Sequence, residues 1–468
     1  MTNLADQKIS MPLGLRVKLS AMMFLQFMTL PVWFNTIIPY VKTLPGGESW
    51  TVWCGMFIGF GTLASPLVGM FADRFLNAEK VLALTHLVYA ALLSACFFVR
   101  SPALLFTLLL LACFVNMPGW SLTATIAMTH STPAAFPHIR VFGSLGWVAS
   151  AVFSVIGISC FGIKNFDTSP WIFAGAAVTA IVTAGLALVL PPTPPKARGT
   201  PMSVVDAFGL KAFTLFKEPR FLVFGLLLAG SMIPFQWYMN YNTLYLEESG
   251  FTYLTLTQNL GQVGELAFMV ALPFLLRACG YKWSMVIGIA LLAVRYACFY
   301  GSVKLGCPAL DFGGILVHGS VFGFIIVNAQ MYVTEVAPPE LRNQAQGLMM
   351  TLTGSVGVFL SVKLFSAVLA ANVRPDGTHD WATPYLLAFG ISVALAFLAA
   401  FHVGSKRNDG SVASCVNVGW PFTVAASERG VRFPLSRSFQ SSAVRPEVPA
   451  LENLSPDTRF TTLHSPQS

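Results

Sequence analysis

Three polar side chains recur in an otherwise apolar stretch, Gln258, Gln262 and Glu265 in QNLGQVGE. Steps of four and three residues place all three on one face of a helix. Lipid offers no partners to amides or a carboxylate, so that face must look into a polar cavity. There a carboxyl group can take up and release a proton, and amides can hydrogen-bond a polar solute. The same spacing recurs in FPHIRVFGSLGW, where Arg140, Ser144 and Trp147 set a cation, a hydroxyl and an aromatic plane on one helix face. Pro137 marks the start of that helix, and Gly143 and Gly146 let a neighbouring helix close in. His318 and Phe322 stand one turn apart in VHGSVFGF, pairing a side chain that titrates near neutrality with a ring that can stack on a flat solute.

A fourth cluster, PFQWYMNYNT, runs from Pro234 to Thr243. Phe235, Tyr238 and Asn242 share one face, with Gln236 turned about 100° away. The N-terminal half adds Gln26, Trp33, Asn116, Trp120 and Thr123, which serve equally well to pack helices together. Charges at membrane depth cost about 2.5–3.5 kcal/mol each on insertion scales, so each one present is a candidate for function. Arg295 and Lys363 read instead as structural partners or as side chains that snorkel to an interface, and His86 and Glu335 lie nearer segment ends. A phosphorylated solute would require more positive charge in the spans, and a hydrocarbon less polarity. A neutral polar molecule with a flat ring fits this set, and both a nucleoside and a sugar bound on aromatic planes meet that description. No HExxH, P-loop or nucleophile elbow is present, which argues against an enzyme.

The elements that must hold these residues are membrane helices. The 468 residues are 55% hydrophobic and only 10% charged, with mean hydropathy +0.67, whereas soluble domains carry about 25% charged residues. Apolar runs predict twelve spans, at 17–40, 50–72, 80–99, 102–127, 140–163, 170–191, 220–245, 253–277, 283–301, 309–335, 343–371 and 383–403. The first of these is expected to be retained, because the polar N-terminus shows no signal-peptide cleavage site. An N-terminal six-helix bundle (1–191), a Pro-rich basic cytoplasmic linker (192–219) and a C-terminal six-helix bundle (220–403) follow, with a disordered cytoplasmic tail at 404–468.

Basic residues set the orientation. Loops on the side of the termini hold Arg16, Lys18, Lys80, Lys217, Arg277 and Lys282 among others, while the opposite loops hold Lys42, Arg100, Lys164, Lys304 and Arg374. This bias puts both termini in the cytoplasm. It also accounts for the net charge of +8 without nucleic acid as a partner. The eight cysteines show no metal spacing, and most fall in apolar runs, so neither a disulfide framework, a metal site nor a cofactor is expected.

Six spans, a basic linker and six more resemble a major facilitator, whose two bundles hold substrate between them near mid-membrane. Gly69, Asp73 and Arg74 resemble the G-x-x-x-D-R opening of that superfamily's loop 2–3 signature, although the usual G-R-K ending is absent. Over about 17–403 the chain further resembles the nucleoside:proton symporter family. The matches include Phe24-Leu25-Gln26-Phe27, Phe136-Pro137-x-Ile139-Arg140-x-x-Gly143-Ser144-x-Gly146, Gly209-Leu210-x-Ala212-Phe213-x-Leu215-Phe216-Lys217-x-x-Arg220, Gln262-x-x-Glu265, Arg295 and Arg342-x-x-Ala345-Gln346-Gly347.

The resemblance implies nucleoside import across the cytoplasmic (inner) membrane by a monomer in the bilayer, coupled to protons. It places substrate on Arg140, Ser144, Trp147, Gln262, Glu265, His318 and Phe322, with Phe235, Gln236, Tyr238 and Asn242 as further candidates, and the proton on Glu265 and His318. Two positions depart from the pattern. The family has tyrosine where His318 stands, and aspartate where this chain has Gly323. An uncoupled facilitator, or a carrier of a sugar or another neutral aromatic solute, is the alternative.

Overall fold

Prolines punctuate the apolar sequence where a missing N–H is no loss: Pro102, Pro118 and Pro219 each sit in the first turn of a helix. The computed structural model describes residues 11–63, 75–132, 135–195, 210–338 and 341–402. These residues are almost entirely helical. They form α1 (Leu13–Lys42), α2 (Thr51–Cys54, resuming over 57–63), α3 (Ala78–Phe98) and α4 (Pro102–His130). The first half continues with α5 (Phe136–Ala149, then Val152–Ser159) and α6 (Trp171–Leu188). After α7 (Pro219–Glu248), a 52-residue helical segment, Leu254–Leu305, contains α8 (254–279) and α9 (281–305). α10 (Ala309–Val336), α11 (Gln344–Ala370) and α12 (Ala382–Phe401) bring the helices of the described residues to twelve.

The largest departure from the expected spans is at α8 and α9. No polar loop separates them; Gly280 alone, at φ 72° and ψ 179°, breaks the helix, and only glycine adopts that conformation freely. The loop 2–3 residues Gly69, Asp73 and Arg74, the middle half of the linker (196–209) and the tail at 404–468 lie outside the described residues. The end of the linker forms a 3-10 helix over Leu210–Lys217 that leads into α7.

Packing follows the two halves. α3 lies against α4 and α6, and α1 against α5 and α6. In the second half the α8–α9 segment packs on α10 and α12, and α7 on α11 and α12. The halves meet through α1 with α7, α2 with α11, and α5 with α8. Small residues allow the α2–α11 contact: a Cβ at Gly59 would strike the Phe359 ring, and the Gly59 carbonyl accepts a bond from Ser355 at 3.0 Å. Turns of π-helix interrupt α10 at Phe322–Val327 and α11 at Leu352–Val356. Such one-turn insertions often mark functional helices.

Candidate functional site

Glycine decides how the polar stripe of α8 meets α10. A Cβ on Gly264 would run into the Leu316 carbonyl, and one on Gly319 into the backbone of Glu265. Gly261 leaves the room that the His318 side chain takes. The two backbones therefore touch, which brings the His318 ring to Gln262, with Nε2 of each 3.1 Å apart. With the amide donating, His318 carries its proton on Nδ1, which has no partner among the described residues. Phe235 stacks on the imidazole at 5.5 Å and Tyr238 lies against it at 5.1 Å.

From the other half, α5 supplies the facing wall. Gly143 and Gly146 press α5 onto Phe27 and the Phe24 backbone of α1. Ser144 Oγ then donates to Glu265 Oε1 at 3.4 Å across the interface. Arg140 lies over the Phe27 ring at 4.3 Å and is close enough to Glu265 for their charges to interact. Phe27 in turn stacks on Trp120 at 5.2 Å, and Trp120 meets Trp147 edge-on. Glu265 is itself buried, about 16 Å from the start of α8 at 1.5 Å per residue, near the middle of a bilayer.

The structure thus groups Arg140, Ser144, Gln262, Glu265, His318, Phe235 and Tyr238, with Trp147 at the edge. Asn242 and Gln236 point elsewhere: Asn242 donates to Gln258 at 2.6 Å, and Gln236 reaches the Thr353 carbonyl of α11 at 3.5 Å. Phe322 begins the π-helical turn and is half-buried. Gly323 faces the α8 backbone at Phe268 and Met269, so a side chain there would lie against α8 below Glu265.

Other buried polar groups bind helices together. Gln26 donates to Asn116 and Trp33 to the Tyr89 hydroxyl, while Thr123 donates to the Gly119 carbonyl of its own helix. His86 Nδ1 lies 2.9 Å from the Leu82 carbonyl of its own helix. Arg295 is fully buried with its guanidinium 4.3 Å over the Tyr238 ring, behind the His318 wall. Lys363 is exposed beside Trp53, and Glu335 is exposed.

Sequence reasoning missed the polar layer that covers this group toward the end of the molecule away from the N-terminus. Asn35 of α1 donates to Asn259 at 2.9 Å, and Asn259 donates to Ser150 Oγ and the Trp147 carbonyl of α5. Thr243 of α7 donates to the Asn35 carbonyl. Farther out, Lys42 pairs with Glu248 at 3.1 Å, and Glu248 also accepts from the Trp381 indole and the His379 backbone. The sequence does show asparagines and charges at these positions, but nothing in it pairs Asn35 with Asn259. Cross-half bonds of the described residues lie from mid-membrane to this far end.

Comparison with known proteins finds a match to the family model described as Nucleoside H+ symporter over residues 13–408. YegT of Escherichia coli (strain K12), a protein named for nucleoside transport, is 33% identical over 416 residues, covering 84% of this chain and 95% of YegT. The xanthosine permease of the same organism is 27% identical, covering 85% of this chain and 97% of its own length. The crystal structure of the nucleoside transporter NupG superposes with TM-score 0.72 at 25% identity, over 83% of this chain and 98% of NupG.

Proposed function

The chain belongs to the nucleoside H+ symporter family, and from that premise we propose that it carries nucleosides through the membrane with protons, by alternating access of its two six-helix halves. It is a secondary transporter of the major facilitator fold, integral to the membrane, and not an enzyme. The observation that carries the site reading is the meeting of Glu265, Ser144 and Arg140 at mid-membrane, beside the aromatic-walled Gln262–His318 pair.

In this reading Glu265 holds the transported proton. It sits where the halves touch, so its protonation can alter their balance, as coupling requires. Gln262 and His318 hydrogen-bond the nucleoside, Phe235 and Tyr238 offer planes to its base, and Arg140 and Ser144 reach it from α5. Trp147 closes the edge of the pocket; Phe322, Gln236 and Asn242 line it in other states of the cycle. In this reading both termini lie in the cytoplasm of an inner membrane, an orientation that the bias of basic loops supports, and the closed far end is the outer one. The working unit is one chain in the bilayer.

Uptake of labelled uridine and xanthosine into proteoliposomes, with and without an inward proton gradient, tests this function. Gradient-driven accumulation of either is the expected result; equal uptake without the gradient would remove the coupling. A bound nucleoside must also stabilise the folded protein, by about 2.7 kcal/mol at 100 times its Kd. A rise in melting temperature with nucleosides and none with sugars is expected.

Gln262→Ala should raise the KM for nucleoside about tenfold, from loss of one hydrogen bond to substrate and one to His318. Transport kinetics on the purified variant check this, and an unchanged KM would take Gln262 out of the site.

A further inference from the structure

Asp167 belongs to the short α5–α6 connection of the first half, yet it serves a helix of the second. It lies in a 3-10 turn, Phe166–Thr168, and is 3% exposed. Ser154 of α5 donates to its Oδ2 at 2.7 Å, which fixes the carboxyl group within its own half. Across the interface, Thr255 Oγ1 donates to Oδ1 at 2.7 Å and Thr255 N–H to Oδ2 at 3.3 Å. Thr255 is in the first turn of α8, and the residue preceding that helix, Tyr253, makes no side-chain cap. The first backbone N–H groups of any helix lack partners within it and are commonly satisfied by a carboxylate at the cap. Here the first half of the protein supplies that carboxylate.

We infer that Asp167 is a positioning residue of the transport cycle, a cap supplied in trans that holds the outer end of α8 against the first half while the outer side is closed. α8 is the helix that carries Gln262 and Glu265, so this contact joins outer closure to the placement of the site. Opening the outer side must separate α5 from α8, and Thr255 then exchanges Asp167 for water. The Asn35–Asn259–Ser150 bonds one turn deeper part in the same movement. The inference rests on the alternating-access reading, but its test needs no substrate. A failure to transport nucleosides would therefore leave its outcome readable.

The test is the rate at which a membrane-impermeant maleimide, added outside intact cells, modifies a cysteine at Ser150. The Ser150 side chain is 1% exposed and touches Asn259 of the other half, so it becomes accessible only when the halves part. Exposed Cys160 and Cys307 are first replaced by serine. The labelling rate follows the open fraction even when that fraction is small. Asp167→Ala should raise it about tenfold, the consequence of losing a buried bonded partner, and Thr255→Val several-fold, since its N–H bond remains. Buried Cys113, within the first half, should stay unlabelled and so reports any unfolding. Unchanged rates in both variants would overturn the inference. So would a rise in Asp167→Ala with none in Thr255→Val, because Asp167 would then only support its own loop. If Asp167→Ala fails to fold, Thr255→Val alone decides.

Discussion

Replacing Glu265 with glutamine should abolish uphill accumulation of nucleoside while leaving exchange of internal for external nucleoside measurable. Glutamine keeps the size of the side chain and an oxygen to accept from Ser144, so the α5–α8 contact seen at 3.4 Å can persist. It cannot take a proton near neutral pH, so the carrier loses its link to the gradient. The effect is large because of what the gradient supplies. One charge crossing 100 mV carries about 2.3 kcal/mol, and about 1.4 kcal/mol is a tenfold concentration ratio. A one-to-one symporter at that potential therefore sustains about 50-fold accumulation, which in the variant collapses to equality. Steady-state uptake and counterflow, measured in the same proteoliposomes, separate the two activities. Continued accumulation by Glu265→Gln would sink its role as the proton site.

Gly319→Val should remove transport altogether, although residue 319 bears no chemistry. A side chain there meets the backbone of Glu265, not a side chain able to swing away. Overpacking a close contact costs about 1–3 kcal/mol, and relief here requires α10 to move off α8. That motion would break the Gln262–His318 pair and withdraw Phe235 and Tyr238 from the ring they flank. A lowered melting temperature together with background uptake is the expected result. Gly390→Ala is the matched control, since nothing lies within 4 Å of a Cβ added there. It should leave uptake unchanged and gain roughly 0.5–1 kcal/mol from helix propensity. Normal uptake by Gly319→Val would mean that the tight α8–α10 contact does not set the site.

The two replacements probe different properties of one place. Glu265 supplies a titratable group, and Gly319 supplies the distance at which that group is presented. Glycine at Gly261, Gly264 and Gly319 lets two backbones approach as closely as membrane helices do when small residues line the contact. Arg140 gains a similar setting from α5, where Gly143 leaves space for its guanidinium against Phe27. Gly323 sits less tightly on α8, where an added Cβ would lie 3.3 Å from the Phe268 carbonyl oxygen.

Much of this protein was legible along the chain. Apolar runs of about 20 residues announce membrane helices, because a bilayer has one thickness and requires every backbone group to be paired internally. The stripes Gln258–Gln262–Glu265 and Arg140–Ser144–Trp147 were legible for a similar reason, since a helix has one period and an isolated polar face in lipid needs a cavity. The π-helical turns left no such mark, nor did the near-continuous run of α8 into α9 through Gly280, because both follow from packing on neighbours.

The sequence by itself determined the medium, the helices and which side chains share a helix face, all of which follow from local periodicity and the cost of polarity in lipid. Only the tertiary structure decided which faces meet. Ser144 and Glu265 are 121 positions apart, and Asn35 and Asn259 are 224 apart. Asp167 reads as an ordinary loop acid until α8 is seen to begin against it. Such pairings depend on how two halves close over one another, and no local period of the chain encodes that closure.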